Sequence, residues 1–210
     1  MSLTAVLLAG GESRRMGRDK ATIDFRGQPL WQRQIAVLRG LMPEKIFVSA
    51  RSEPAWLPDE THLLLDELPS RGPLSGMTRA LERTQTSHLA VLAVDMPNLT
   101  TARLQVAWDL AVMGCGVLPV IIDRAEPLAA IYPREAASEF SAALAGDDFS
   151  LQRLSQKLVK GGKLRALSVA PADEEFYWSV NEPGDIRRGA FSSRTLSKFS
   201  NRPFRSVDGL

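Results

Sequence analysis

Short apolar runs alternate with segments of helical periodicity along most of the chain, a pattern that is typical of an α/β domain. The runs at residues 5–9, 45–50, 62–65 and 88–94 predict strands, because they are short, uninterrupted and rich in aliphatic residues. The last of them, HLAVLAV, is the most continuous. It suits a central parallel strand that is covered on both faces.

The segments between these runs predict helices, because their apolar residues recur every three or four positions. One helix ends near Pro43, and the next begins at Pro73, a residue favoured in the first turn. A third helix is capped by Thr100 or Thr101. The apolar faces consist of Trp31, Ile35, Leu38 and Met42 in the first helix, of Leu74, Met77 and Leu81 in the second, and of Leu104, Ala107, Trp108 and Ala111 in the third.

The second half of the chain has a different pattern. Two extended runs, residues 117–122 and 127–132, are separated by only four residues. So short a connection cannot hold a crossover helix, and we therefore expect the two strands to pair antiparallel. The remaining predicted elements are helices at residues 134–144, 151–158 and 183–188 and a strand at residues 164–169.

These elements predict one α/β domain over residues 1–190, with a mostly parallel sheet and at least one antiparallel strand, and a basic tail over residues 191–210. A net charge of +2 on 210 residues is too small for a dedicated nucleic-acid binder. The single cysteine, Cys115, excludes an intrachain disulfide framework. No apolar stretch reaches the roughly 18 to 20 residues that span a bilayer, so we expect a cytoplasmic protein without a membrane partner.

The first predicted strand ends in a glycine pair followed by a basic loop. Gly10 and Gly11 let backbone N–H groups approach a ligand closely, and the following cations favour an anion such as a nucleoside triphosphate. Neither the P-loop nor the dinucleotide-binding fingerprint matches, because Arg15 and Glu12 stand where those motifs need glycine. A tight turn with a solvated basic loop is the alternative. The basic residues of the loop are Arg14, Arg15, Arg18 and Lys20.

Two carboxylates follow later strands of the predicted sheet. In an open parallel sheet, ligands bind beyond the carboxyl ends of the strands, so Asp66 and Asp95 should meet the glycine pair at one crevice. Asp95 is suited to hold magnesium against triphosphate oxygens, because Mg²⁺ takes one or two protein carboxylates and shares its other positions with phosphates and water. The alternative for Asp95 is a turn-forming or helix-capping role, and the alternative for Asp66 is a turn residue.

Four segments resemble one enzyme family. The first, VLLAGGESRRMGRDK at residues 6–20, resembles the LAGGxSxRMGxxK loop of nucleotidyltransferases, and most closely that of molybdenum cofactor guanylyltransferases. GPLSG at residues 72–76 and VDMPNL at residues 94–99 resemble further elements of the family. SVNEPGD at residues 179–185 resembles its NxNxPxD/E element, with Ser179 in place of the first asparagine.

The resemblance implies a Rossmann-like three-layer sandwich of the nucleotidyltransferase, GT-A-like type, with Mg²⁺ as cofactor and with GTP and molybdopterin as substrates. Partner proteins of cofactor biosynthesis or molybdoenzymes are further candidates. It implies that Arg15, Lys20 and Asp95 are catalytic and that Asp95 and Asn181 bind the metal. The nucleotide-binding residues it implies are Leu8, Ala9, Gly10, Gly11, Lys20, Ser49, Asp66 and Asp95, with Ser49 standing where the family often has asparagine.

Two other functions stay open at this point. One is a related nucleotidyltransferase that uses CTP or another phosphorylated acceptor, such as a sugar phosphate. The other is a non-catalytic nucleotide-binding partner in cofactor insertion, although simple binding would not need Arg15, Lys20 and Asp95 together. Because an acceptor phosphate already carries an oxyanion, nucleotidyl transfer needs no strong general base. This fits a chain with only two histidines, His62 and His88, which both lie at predicted strand starts and away from the proposed site.

Overall fold

A mixed sheet of eight strands organises the computed structural model of the chain, which describes residues 1–10, 19–66, 69–181 and 185. The strands of this sheet are β1 (Leu3–Leu8), β4 (Lys45–Ala50), β5 (His62–Leu65), β6 (His88–Ala93), β7 (Gly116–Ile121), β8 (Arg124–Ala125), β9 (Ala129–Pro133) and β10 (Leu164–Ser168). A separate two-stranded ribbon contains β2 (Asp24–Phe25) and β3 (Gln28–Pro29). The α-helices are α1 (Leu30–Arg39), α2 (Pro73–Arg83), α3 (Thr101–Leu110), α4 (Ala137–Ala145) and α5 (Leu151–Lys160).

The strand order is β10-β7-β9-β6-β1-β4-β5, with β8 paired to β7. Strands β5, β4, β1 and β6 run parallel to one another, whereas β9 runs antiparallel to both β6 and β7. The prediction of a mostly parallel sheet with at least one antiparallel strand is confirmed. The prediction for β6 was wrong on one side, because its neighbour β9 is antiparallel. Burial on both faces produces the apolar run whichever way the neighbouring strand points.

Helices cover both faces of the sheet, as the alternation of side chains along β1 illustrates. Leu3, Ala5 and Leu7 belong to a core that includes residues of α1 and α3. Val6 and Leu8 point to the other face and belong to a core shared with α2, α4 and α5. Since successive side chains of a strand face opposite sides of the sheet, this arrangement makes a three-layer sandwich and confirms the predicted fold class.

The connections change direction next to β1. From β1 the chain passes through α1 to β4 on one side, and it returns later as β6 on the other side. Such a switch leaves a crevice beyond the carboxyl ends of the two central strands, which is where ligands bind in open α/β sheets. Gly10 and Asp95 follow those two strand ends, so the topology opens a site where the sequence predicted one.

Several sequence predictions can be compared with individual elements. Met42 lies beyond the end of α1, has a positive φ of 51° and is 88% exposed, so its predicted place on an apolar helix face was wrong. Ser150 caps α5 as predicted, since its side chain accepts a hydrogen bond from Arg153 N. Cys115 is half-buried next to β7. The predicted helix at residues 183–188, apart from Asp185, and the tail at residues 191–210 lie outside the described residues.

Every helix in the described part of the chain is too short or too polar to traverse a lipid bilayer. Both histidines start strands, His62 in β5 and His88 in β6, as expected from the sequence. They therefore lie at the edge of the sheet opposite the crevice.

Candidate active site

Three strand ends meet in one cleft of about 450 Å³ at the topological switch. Gly10 follows β1, Asp66 follows β5 and Asp95 follows β6, and all three line this cleft. The sequence predicted that these loops would converge, and the structure brings them together.

Lys20 enters the cleft from a short 3₁₀ turn, Lys20–Thr22. Asp19 caps this turn, because its Oδ1 accepts a hydrogen bond from Ala21 N at 2.9 Å. The other carboxylate oxygen of Asp19 accepts a hydrogen bond from Trp56 Nε1 at 3.0 Å, and the Trp56 ring stacks on Trp31 of α1. The turn is therefore fastened to the body of the domain just before the lysine.

The Lys20 ammonium joins two segments that are far apart in the sequence. Its Nζ lies 3.0 Å from Asp95 Oδ2 and 3.2 Å from Asn181 Oδ1. The backbone holds Asn181 in place, because Val180 N donates a hydrogen bond to the carbonyl oxygen of Asp95 at 2.8 Å. The Lys20 and Asp95 side chains are 16% and 21% exposed, so solvent still reaches this cluster.

A second polar pair lies on the opposite wall of the cleft. Ser49, in β4, is 2% exposed and its Oγ donates a hydrogen bond of 2.8 Å to Asp66 Oδ1. The backbone N–H of Asp66 donates to the carbonyl oxygen of Ala50 at 2.9 Å. Both bonds depend on the parallel pairing of β4 with β5, which sets the two strand ends side by side.

Two glycines make room for this pair. A Cβ atom at Gly10 would lie 2.8 Å from Asp66 Oδ2, and a Cβ atom at Gly76 would overlap Ser49 Oγ. Neither position therefore accepts a larger residue without displacing the Ser49–Asp66 pair. This gives a structural reason for the last glycine of the GPLSG segment.

Leu8 and Ala9 line the cleft, but their backbone groups already form hydrogen bonds with neighbouring segments. Ala9 N donates to Ser49 O at 2.8 Å, and Leu8 O accepts from Val94 N at 3.1 Å. Their contribution to the cleft is thus the shape of its floor. The N–H of Ala9 is not free to contact a phosphate group.

The oxygens around Lys20 suit a cation. Asp95 Oδ2 and Asn181 Oδ1 converge on one ammonium group, which marks the position of a single positive charge. No group of three His, Cys, Asp or Glu residues able to hold a metal occurs among the residues that the structure describes. This donor set fits Mg²⁺ only when nucleotide phosphates and water complete its coordination.

The predicted site residues and the residues that line the cleft do not fully coincide. Gly11 and Arg15 lie outside the described residues. Arg51 lines the cleft directly after β4, and the strand-end rule that selected Asp66 would have selected it as well. Glu126 was also missed, because the DRAEP segment looks like an ordinary charged turn in the sequence.

A larger cavity of about 1170 Å³ adjoins the cleft. Asn181 lines this cavity while its side chain contacts Lys20, which lines the cleft, so the two spaces meet at that contact. Glu126, Tyr177 and Trp178 also line the cavity. Burial raises the pKa of the Glu126 carboxyl above its ordinary value and raises the pKa of Tyr177 to about 12.

Comparison with known proteins gives consistent results. The family model of the MobA-like NTP transferase domain matches residues 5–161. The protein named "Probable molybdenum cofactor guanylyltransferase" from Opitutus terrae is 37% identical over 193 residues, which cover 89% of this chain and 94% of that protein.

Two solved structures share the fold. Molybdopterin-guanine dinucleotide biosynthesis protein A from Archaeoglobus fulgidus has a TM-score of 0.69 at 21% identity, covering 91% of this chain and 99% of that one. A 2-C-methyl-D-erythritol 4-phosphate cytidylyltransferase from Thermus thermophilus has a TM-score of 0.68 at 14% identity, covering 92% and 100%. Proteins named for different nucleotides therefore share this fold.

Proposed function

The chain belongs to the MobA-like NTP transferase family, and from this premise we propose that it transfers GMP from GTP to molybdopterin and releases pyrophosphate. The relatives' name supports this choice of substrates. The observation that carries the proposal is the contact of Lys20 with Asp95 and Asn181. It lies where a nucleotide cleft and an acceptor cavity meet.

The reaction is an in-line displacement at the α-phosphorus of GTP. An oxygen of the acceptor's phosphate forms a bond to this phosphorus, and the bond from the phosphorus to the bridging oxygen of the β-phosphate breaks. Pyrophosphate leaves with the electron pair of that bond. Such chemistry depends on positioning and charge neutralisation, with little covalent work for side chains.

Residues of the cleft and of the basic loop divide this work. Lys20 exchanges its contact with Asp95 for the phosphates and neutralises the charge that develops on the leaving pyrophosphate. Arg15, from the basic loop, acts on the same phosphates. Asp66, held by Ser49, binds the nucleoside, and Gly10 allows the phosphates to approach the chain closely.

Magnesium is the cofactor of the proposal, with Asp95 and Asn181 as the protein groups that hold it. When bound, it supplies positive charge that polarises the phosphate oxygens. A cytoplasmic location and partner proteins of molybdenum cofactor biosynthesis or molybdoenzymes stay predictions.

The choice of GTP is open to a direct test, because a cytidylyltransferase has the same fold. Pyrophosphate release should be measured with GTP, CTP, ATP and UTP, each with molybdopterin and magnesium. We expect release with GTP that depends on the acceptor. Release with CTP alone would indicate a cytidylyltransferase instead. No release with any of the four nucleotides would favour a non-catalytic binding partner.

A further inference from the structure

The larger cavity contains a buried carboxylate that the nucleotide cleft does not use. Glu126 follows β8, lines the cavity and is 8% exposed. Among the described residues, its ion-pair partner is Arg124, whose Nε lies 3.7 Å away on a side chain that is 78% exposed. Within the described part of the chain, the Glu126 carboxylate accepts no hydrogen bond.

The Glu126 side chain is 11% exposed and faces the cavity, so its oxygens remain accessible from that side. Arg124 is too far away to donate a hydrogen bond, and solvent screens so exposed an ion pair. Whatever occupies the cavity, solvent or a ligand, must therefore supply hydrogen-bond donors to Glu126. Because an ionised carboxylate only accepts hydrogen bonds, two parallel N–H groups would satisfy it best.

The charged residues that line the cavity bear on the orientation of the bound acceptor. Besides Glu126, its described lining includes the carboxylates of Asp123, Glu174, Glu175 and Asp185, against the single cation Arg124. A phosphate group would be repelled by these carboxylates, and the proposed transfer needs it at the end of the cavity next to Asn181. Lys20 supplies positive charge at that end, where Asp185 Oδ2 also accepts a hydrogen bond from Asn181 N. The uncharged, donor-bearing end of the acceptor then lies among the carboxylates.

The cavity wall also contains groups that suit a flat ring. Trp178, whose indole ring could stack on a flat ligand, is half-buried in the lining. At the rim, Ile122 is 83% exposed and has a φ of 57°. A β-branched residue rarely adopts this backbone conformation, and such strain concentrates at ligand sites.

We propose that Glu126 selects the acceptor by accepting two hydrogen bonds from the adjacent ring N–H and exocyclic amino group of a 2-amino-4-oxo pterin. The proposal rests on the proposed function for the identity of the acceptor. It assigns Glu126 a role in specificity at the end of the acceptor far from the reacting phosphate. It follows that Glu126 affects which ring is bound and leaves GTP binding alone.

The test uses two fluorescent ring phosphates, 6-hydroxymethylpterin phosphate and the matching lumazine, in which an oxo group replaces the 2-amino group. Dissociation constants should be measured for the wild type, Glu126→Gln and Asp123→Asn. Asp123→Asn is the matched control, because it removes one negative charge from an exposed side chain of the same cavity.

We expect the wild type and Asp123→Asn to bind the pterin with a dissociation constant about tenfold or more below that of the lumazine. Hydrogen bonds to a charged group usually contribute this much to affinity. Glu126→Gln should lose this preference while its affinity for GTP is unchanged. An equal loss in both variants, or an unchanged preference in Glu126→Gln, would overturn the proposal.

The titrations separate this proposal from the proposed function. If the wild type releases pyrophosphate from GTP with molybdopterin but binds pterin and lumazine equally, the role of Glu126 is wrong and the transfer reaction stands. If the preference depends on Glu126 and no nucleotide supports turnover, the ring-binding role stands and the transfer reaction is wrong.

Discussion

The two spaces at the carboxyl edge of the sheet differ in how far their polar groups are satisfied. In the nucleotide cleft, Ser49 is bonded to Asp66, and Lys20 is bonded to Asp95 and Asn181. In the neighbouring cavity, Glu126 is buried, and the described residues give it only a long contact to Arg124. The cleft thus holds its binding groups in position before a ligand arrives. The cavity contains a carboxylate whose hydrogen-bond donors come from solvent or from a ligand.

This difference suits two ligands of different character. A triphosphate needs fixed charges and dipoles, because its charge changes during the reaction and preorganised groups stabilise it without rearranging. A ring far from the reacting atoms contributes mainly selectivity. An unpaired carboxylate gives strong selectivity, since a ring without donors leaves the charge buried and unsatisfied.

The largest effect should come from Asp95→Ala, which removes the carboxylate that Lys20 contacts. We expect turnover to fall about a thousandfold or more, because a metal ligand contributes several kcal/mol of charge stabilisation. The melting temperature should change little, since a partly exposed ion pair contributes about 0 to 1 kcal/mol to the free energy of unfolding.

Asp173→Asn provides the control for Asp95→Ala. It breaks the Arg103–Asp173 ion pair, which is similarly buried and lies outside the cleft. Steady-state rates and thermal unfolding of both variants would distinguish a catalytic loss from a structural one. Full magnesium-dependent activity in Asp95→Ala would refute the role of this residue.

The next effect should come from Ser49→Ala, which leaves Asp66 Oδ1 without its hydrogen bond. We expect GTP to bind about tenfold more weakly, because a hydrogen bond to a charged group contributes roughly 1.5 to 3 kcal/mol. Thr84→Ala is the control. Thr84 is similarly buried, but it follows α2 and donates to Ala80 O of that helix. If calorimetry finds that both variants bind GTP as the wild type does, Ser49 does not position Asp66 for the nucleotide.

The comparison also predicts that the cavity, through Glu126, makes the stability of the protein depend on pH. Burial raises the pKa of Glu126 above 4.5, so the folded protein holds this proton more tightly than the unfolded chain does. The stability cost of ionising Glu126 is absent below about pH 4.5 and is present in full above the folded-state pKa.

Glu126→Gln should therefore unfold at a higher temperature than the wild type at neutral pH, and the advantage should vanish in acid. Thermal unfolding at a series of pH values measures this difference. A lower melting temperature for Glu126→Gln at neutral pH would mean that the carboxylate has a stabilising partner within the protein.

The smallest effect should come from the rim of the cavity. Ile122→Gly relieves backbone strain of about 1 to 3 kcal/mol, offset in part by the roughly 0.5 to 1 kcal/mol entropic cost of glycine. We expect a gain of a few degrees in melting temperature. We also expect about two- to threefold weaker binding of 6-hydroxymethylpterin phosphate, because a small apolar contact is lost.

Met42→Gly is the control for Ile122→Gly. Met42 is also exposed and has a similar φ of 51°, but it lies away from both spaces. It should gain stability without any change in pterin binding. Weaker binding in both variants, or in neither, would remove Ile122 from the acceptor site.

The sequence predicted most of the parallel half of the fold and the meeting of its strand ends. The run KIFVSA gave β4 at its observed bounds, because β-branched and aromatic residues follow the break at Pro43. Lys20 and Asp95 were placed together by the rule that ligands bind beyond parallel strand ends, and their atoms lie 3.0 Å apart.

The remaining features depend on contacts between distant segments. The direction of β9, the antiparallel neighbour of β6, cannot be seen in the sequence of β6, because a strand buried on both faces is apolar next to either kind of neighbour. Met42 continues the apolar spacing of α1 in the sequence, but the helix ends at Arg39, before this residue. Glu126 looks like part of a solvated turn in the sequence. Its burial arises only when its segment is enclosed by the fold.

The central claim is that the α-phosphate of GTP passes to an acceptor bound beside Asn181. Incubation with molybdopterin and magnesium, using GTP labelled either at the α- or at the γ-phosphorus, tests it most directly. We expect α-label to appear in the pterin product and γ-label to leave as pyrophosphate. A product that carries γ-label, or no labelled pterin with either nucleotide, would contradict it.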